Sequence, residues 1–485
     1  MKAAVWVSVG ASALLAGCTV GPDYQRPAAV GRQPLPAAFT GGTTNTGSWK
    51  VAQPAAHVPR GPWWQSFGDG ELNRLESLAG ANQDVAAAVA RFAQARALIN
   101  VARADLFPQI AATPTYNRQR NSDSQLFASL AGIQYATYTV PLQAGWEADL
   151  WGRVRRQVEA ARANLSAAAD DVQAVRLAVE AEVATDFFTL RALDDEDDLL
   201  TQTAAAYRRS LELTRNRRVG GVASDLDVAQ AQTQLQTTEA QLPAVDLQRT
   251  KLRHALATLC GQPATGFAVA AGQTNWAKAW TNPVPTTVPS ELLERRPDIA
   301  AAERRMAAAN AEVGVAQAAF YPRIQFHGLA GLQAIDANSV FDWPSRFWAV
   351  GPALELPLFT GGRLHAQLAA ARAGYEATVA QYRQTVLSAF QEVEDQLAAQ
   401  RLLAAELAST TAALTAARHT LEIANNRYVA GLVTYLEVAV AQSAALDQER
   451  AVVQLRAEAR AAAVGLVKAL GGGWEQRSVA VSAKE

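Results

Sequence analysis

From Gly361 to Leu470 the chain contains no proline, and after Gly362 its only glycines are Gly374, Gly431 and Gly465. The remainder is largely Ala, Leu, Glu, Gln and Arg, the residues that lose least on entering a helix. Apolar residues recur every seven positions at Val379, Val386 and Val393, then at Leu407, Leu414, Leu421 and Tyr428, with Gln400 as the gap. A heptad kept this long predicts the seam of a coiled coil rather than a short surface helix. At about 1.5 Å per residue, Gly361–Val429 would reach roughly 100 Å, longer than most single globular domains. The seam ends at Arg427-Tyr428-Val429-Ala430-Gly431-Leu432-Val433-Thr434-Tyr435. This reads as a tight turn in which Gly431 takes a backbone angle that other residues resist. Helix resumes from Leu436.

The same design occurs earlier. Arg217 to Gln232 aligns with Arg427 to Gln442, matching Gly221 to Gly431, Leu226 to Leu436, Val228 to Val438 and Gln232 to Gln442. The chain is an internal duplication with a period of about 210 residues, and each half carries one long helical hairpin. In the first half Leu165, Val172, Val179, Leu193, Leu200 and Tyr207 keep a heptad that Asp186 interrupts. The descending helix is expected over Gly152–Val219 and the return over Asp225–Leu259, with a kink at Pro243. The duplication turns a length of 485 residues into one elongated body of two similar halves instead of several unrelated domains.

Between the helices the period changes. Val140, Leu142, Ala144, Trp146 and Ala148 alternate with Thr139, Pro141, Gln143, Gly145 and Glu147, which predicts a strand with one apolar face over Thr139–Asp149. Ile110–Arg118 is a weaker partner. The second half repeats this over Ile324–Leu332 and Trp348–Leu356. Each segment is about the 9–11 residues that cross an outer membrane. Four strands cannot close a barrel, for which about eight is the minimum, and lipid does not tolerate an open sheet edge. If the strands are transmembrane, the protein oligomerises; the alternative is a soluble four-stranded sheet under the helices. The loops Gln119–Gln134 and Gln333–Arg346 are then expected outside the cell. Glu71–Phe107 reads as helix broken near Gly80-Ala81-Asn82.

The net charge of −1 offers no basic field for nucleic acid. After the N-terminus no run of about 18 apolar residues predicts a transmembrane helix. Two cysteines, Cys18 and Cys260, are too few for a disulfide framework, and Cys260 reads as a small buried residue. No His-Glu-x-x-His, Gly-x-Ser-x-Gly or phosphate loop is present, so no enzyme, cofactor or metal is expected. Asp194-Asp195-Glu196-Asp197-Asp198 points all round a helix and reads as a solvated face rather than a cation site. Arg208, Arg209, Arg215, Arg217 and Arg218 crowd the first hairpin tip, either as solvated charge or as ion-pair donors. At the start Lys2, the apolar run Ala3–Leu15 and Leu15-Ala16-Gly17-Cys18 form an export signal ending in a lipobox, in which Cys18 becomes the acylated first residue.

Together these pieces resemble the outer membrane factor family, the TolC-like channel-tunnels, and within it the NodT/OprM-like efflux lipoproteins. The motifs are Leu15–Cys18, Gly21-Pro22-Asp23-Tyr24, Trp63-Trp64 with Phe67, Asp105–Pro108, Trp146–Arg153, Leu292–Asp298, Phe320-Tyr321-Pro322, Leu358–Arg363 and the two tip turns. The resemblance implies a mostly helical fold with a small transmembrane β part. It implies a trimer whose twelve-stranded β-barrel is continuous with a long α-helical coiled-coil barrel. It implies a passive outer-membrane conduit of a Gram-negative efflux system, partnered by a periplasmic adaptor, an inner-membrane pump and outer-membrane lipids. Thr19, in place of Asp, directs a lipoprotein to the outer membrane by the same resemblance. The division expected is a signal peptide over 1–17, a lipidated extended segment over 18–62, a first repeat over 63–270, a linker over 271–288, a second repeat over 289–473 and a tail over 474–485. Gate candidates are Arg217, Arg218, Gly221, Asp225, Leu226, Asp227, Arg427, Gly431, Leu436 and Glu437. Where the family often carries Asp before the final Ala-Gln of the second tip, this chain has Val440, which leaves Asp225, Asp227 and Glu437 as the tip carboxylates. A periplasmic adaptor-type coiled-coil lipoprotein is the alternative, but it has a single hairpin and no duplicated strands.

Replacing Cys18 by Ser is expected to leave unprocessed precursor and to abolish palmitate incorporation, read by labelling in growing cells.

Overall fold

The computed structural model describes residues 19–30, 61–124, 129, 131–270 and 295–472. Cys18, the linker tryptophans Trp276 and Trp280, and the tail lie outside the described residues. After a 3-10 turn at Trp63–Phe67 come helices α1 (Gly70–Ala79) and α2 (Gln83–Ala104), then strands β1 (Gln109–Ala112), β2 (Thr115–Arg120) and β3 (Gln134–Ala148). Helices α3 (Arg153–Val219), α4 (Asp225–Glu239) and α5 (Leu242–Leu259) complete the first repeat. The second has α6 (Pro297–Ala318), β4 (Arg323–Ala334), β5 (Arg346–Glu355), α7 (Arg363–Val429) and α8 (Tyr435–Ala469). Helices α3 and α7 have 67 residues each, as the heptads require. Val172, Val179, Leu193, Leu200 and Tyr207 on α3, and Val386, Val393, Leu414 and Tyr428 on α7, are all buried.

Packing divides the chain differently from the repeats. One compact unit takes Arg91–Ala168 and Ala301–Arg383 with the segment ending at Ala29, and the other takes Ala169–Ala300, the chain from Gln384 on and the segment ending at Ala90. Each unit draws on both repeats, because both long helices contribute to both.

The first unit holds the sheet, in the order β1-β3-β4-β5 with β2 also on β3. The single strand expected over Ile110–Arg118 is two, β1 and β2, which occupy successive stretches of β3. Pro114 lies between them and cannot donate to the ladder. Strand β3 starts earlier than its apolar alternation suggested, because Gln134–Tyr138 pairs with β2. Pro141 inside β3 lies opposite Gly331, where a Cβ would come within 2.5 Å of the Val140 carbonyl. Register puts Val140, Leu142, Trp146, Phe326, Leu332 and Trp348 on one face and Thr139, Gln143, Glu147, Gln325, His327 and Gln333 on the other. Every pairing is antiparallel.

The Trp146–Arg153 motif builds the strand-to-helix junction. The Asp149 carboxylate accepts from Val154 N (3.0 Å) and Arg155 N (2.9 Å), capping α3, and Arg153 grips Glu147 through two bonds of 2.9 and 3.0 Å. Trp151 donates to the Pro322 carbonyl and packs against the Tyr321 ring in a tilted contact. The N-terminal segment is bound across this unit, as an extended strap. Val20 N donates to Trp151 O, Asp23 pairs with buried Arg156, and Arg26 and Tyr24 both meet buried Glu303. Gly21 sits at φ +105 with its Cβ direction only 2.5 Å from Gly314 Cα, so no larger residue fits there.

The second unit's core joins Trp63, Leu72, Leu75, Phe187, Phe188, Leu256, Val464 and Val467. Cys260 is fully buried, its thiol near the Leu75 carbonyl, and burial pushes it up to about 11. It is an inert core residue, as expected. The break near Gly80-Ala81-Asn82 separates α1 from α2; the stretch Gly70–Ala104 is apolar and long enough to cross a membrane by composition alone, but it is two helices. The acidic run corrects its reading as a solvated face. Asp194 meets Arg191 and Arg249, Asp197 meets Arg249, and Glu196 meets Arg450. Two flanking helices bring arginines onto α3 there, a convergence that α3's own sequence does not encode.

Glu76 on α1 is buried with both carboxylate oxygens unpartnered. Burial, reinforced by nearby Glu180, pushes it up to about 9. The folded chain therefore holds this proton where the unfolded chain releases it, and stability falls as pH rises from the ordinary carboxylate range toward 9. Glu76→Gln is expected to flatten that slope, measured by denaturant midpoints at pH 5 and pH 8.

Candidate functional site

The two hairpin tips lie in the second unit. Each ends by the same local rule. Val222 N donates to Arg217 O (2.8 Å) and Gly221 N to Arg218 O (2.9 Å), while Leu432 N donates to Arg427 O (2.9 Å) and Gly431 N to Tyr428 O (3.0 Å). These are Schellman closures, which need a left-handed residue. Gly221 and Gly431 supply it at φ +74 and +76.

The next helix starts differ, although they occupy equivalent positions in the repeat. At the first tip Ser224 and Asp227 form a complete capping box, with Asp227 N on Ser224 Oγ (3.2 Å) and Ser224 N on Asp227 Oδ2 (2.8 Å). At the second tip the equivalent Thr434 makes no side-chain cap. The N–H of Tyr435, an orphan donor at the start of α8, instead donates to Asp227 Oδ1 at 3.1 Å. One carboxylate thus caps the starts of both return helices and ties the hairpins together. Burial alone would raise the Asp227 carboxyl. Hydrogen bonds from the Ser224 backbone and hydroxyl and from Tyr435 N, with Arg217 nearby, hold it below the ordinary carboxylate range.

The tip arginines divide their tasks. Arg218 pairs with Asp225 on the surface. Arg427 lies 3.5 Å from Glu437, both about half exposed, so each of these pairs is worth about 0–1 kcal/mol. Arg217, expected either as solvated charge or as an ion-pair donor, bonds the Val429 carbonyl at 2.9 Å and covers the Tyr428 ring at 4.8 Å. Farther from the tips Arg208 pairs with Glu239, and the duplicated Arg418 pairs with Glu449. Leu226, Leu436 and Val440 are exposed and make no part of the core.

Tyrosines that the sequence placed on the heptads and in the tip turn, but not among the gate candidates, form the interior of the site. Tyr428 donates to Thr214 Oγ1 (3.1 Å), Tyr435 donates to Gln442 Oε1 (3.1 Å), and their rings meet edge to face at 5.5 Å. Burial pushes the Tyr435 hydroxyl up to about 12. Both sit in a cluster with Tyr207, Leu211, Leu235 and Val438. The signal available was the heptad itself, which ends at Tyr207 in one half and Tyr428 in the other. Among the described residues no group of His, Cys, Asp and Glu could hold a metal.

A family model described as "Outer membrane efflux protein" matches residues 75–262 and 288–472, one block in each repeat. The chain is 33% identical over 480 residues to the outer membrane protein OprJ of Pseudomonas aeruginosa, covering 97% of this chain and 98% of that one. It is 31% identical over 480 residues to the toluene efflux pump outer membrane protein TtgF of Pseudomonas putida, with 98% of each covered. The solved structure of the outer-membrane channel OprN superposes with a TM-score of 0.83 at 31% identity, over 94% of this chain and 100% of that one.

Asp227→Ala is expected to expose two helix starts, at about 0.5–2 kcal/mol for a lost cap, and to speed hydrogen exchange at the Tyr435 amide. Because the Asp227 carboxyl is held down, its contribution is complete above the ordinary carboxylate range and disappears as pH falls through the depressed value. Exchange at Tyr435 that is unchanged in the variant would assign the cap to another group.

Proposed function

The chain belongs to the outer membrane efflux protein family, and from that premise we propose that it is the outer-membrane channel of a tripartite efflux pump, a passive homotrimeric conduit gated at its periplasmic tips. The sheet's topology is the observation that carries the reading. Its strand positions alternate in direction, β1 with β2, then β3, β4 and β5, and among the described residues the outer edges of β1, β2 and β5 have no strand partner. Such edges are not stable in lipid. The alternating directions let β5 of one copy continue antiparallel into β1 and β2 of the next, and three copies make twelve strands. The apolar face then meets lipid and the polar face lines the lumen.

The names of the relatives support efflux as the task and a pump as the setting, so an inner-membrane pump and a periplasmic adaptor are the partners of this reading. No chemistry on the cargo is involved. A lipid on Cys18 accords with the strap, which brings Thr19 against Gly152 at the strand-to-helix junction, where a barrel meets the inner leaflet.

The gate of this reading is the bond network joining the two hairpins. Asp227 capping Tyr435, Arg217 on the Val429 carbonyl and the Tyr428–Tyr435 contact hold the tips together from inside, with Arg427 and Glu437 adding a weak outer pair. Threefold repetition sums these terms, and a partner that prefers the open form can still displace them.

Protein extracted from outer membranes is expected to run as a heat-modifiable trimer and to form channels in planar bilayers. Asp227→Ala with Glu437→Ala should raise single-channel conductance. A monomer with no channel activity would sink the conduit; an intact trimer of unchanged conductance would remove these carboxylates from the gate.

A further inference from the structure

The outward face of the sheet does not stay apolar to its end. Near the helices it carries the stacked pair Trp146–Phe326, with ring centres 5.6 Å apart. Eight residues along β3 it carries the pair Tyr116–Tyr138, at 4.9 Å. Eight residues of strand tilted by about 40° cover about 20 Å of height, so the two pairs stand where the two aromatic girdles of a membrane barrel stand. Beyond the upper pair, β2 continues on the same face with Arg118 opposite Ala136 and Arg120 opposite Gln134. Their backbone positions lie about 7 and 13 Å past Tyr116 along the strand, at headgroup level.

An arginine facing lipid is costly at mid-membrane and nearly free at the interface, so the position is tolerated, and its chemistry is specific. The guanidinium fork matches phosphate oxygens in pairs. No carboxylate faces either arginine across the strand pair. Arg120 has one acidic contact, Asp123 at 3.1 Å, in a pair 57% and 71% exposed, which water and other anions can exchange. Among the described residues Arg118 makes no ion pair.

We propose that Arg118 and Arg120 bind the phosphorylated headgroup of an anionic glycolipid in the outer leaflet, with Tyr116 and Tyr138 packing against the start of its acyl chains. This rests on the barrel reading above. The occupant follows from the combination of two phosphate-matching groups with an aromatic girdle directly beneath them on one lipid-facing surface. A soluble anion would use the arginines and not the girdle.

Purified trimer, equilibrated in phosphatidylethanolamine nanodiscs containing bis-phosphorylated lipid A and then extracted, is assayed for retained lipid A by native mass spectrometry. Wild type should retain it, and Arg118→Gln with Arg120→Gln should reduce retention about 25-fold, at about fivefold per basic residue at an anionic surface. Arg91→Gln on α2 should leave retention unchanged, and dephosphorylated lipid A should be held no better by wild type than by the double variant. Equal retention by wild type and the double variant overturns the proposal, as does displacement by inorganic phosphate alone. If the double variant does not assemble, the two single Gln variants carry the same test. Asn121→Cys, treated on whole cells with an impermeant maleimide, separates the two levels. No labelling overturns the barrel topology and this proposal with it, whereas labelling with unchanged lipid A retention overturns this proposal alone.

Discussion

Backbone groups in a bilayer have no water to turn to, and that constraint reaches every part of this chain. A sheet with strands β1 to β5 whose two edges are unpaired among the described residues can live in hydrocarbon only when copies complete it. Closure in turn demands strands that alternate in direction and faces that alternate in polarity. The pairing of Pro141 with Gly331 and the split at Pro114 are what it takes to run such strands through prolines. The start of α3 is set by the strand before it, because Asp149, Glu147 and Trp151 turn β3 directly into α3.

At the other end of the long helices the same accounting recurs in water. Two Schellman turns and one complete capping box satisfy several of the orphan groups there. A further one, the N–H of Tyr435, is met by Asp227 from the other hairpin. A duplicated sequence has thus become an asymmetric device. Ser224 and Asp227 serve their own helix, whereas Thr434 and Glu437, the matching residues, leave their helix start to be capped from across the interface and turn Glu437 toward Arg427. One carboxylate therefore serves the starts of both return helices.

Charge among the packed helices is handled in two ways. Half-buried Asp194, Glu196 and Asp197 pair with Arg249 and Arg450 and so staple three helices, while Asp198 stays exposed. Glu76 has no such partner and is kept neutral by burial. The first arrangement adds specificity to helix packing; the second is a standing cost that the surrounding apolar core tolerates.

The heptads, the duplication, the tip glycines and the alternating strands were legible from the residues, because period and left-handed turns are local properties. Helices α3 and α7 and the two closures at Gly221 and Gly431 follow from that pattern. What only the tertiary structure decided is which matching residues do matching work. Asp227 and Glu437 occupy equivalent positions in the repeat, yet one is a double cap and the other half of an exposed pair. Arg217 bonds a carbonyl and an aromatic ring instead of a carboxylate. Those outcomes depend on which helix lies alongside, and a contact between residues some 210 positions apart leaves no periodic trace in a single sequence.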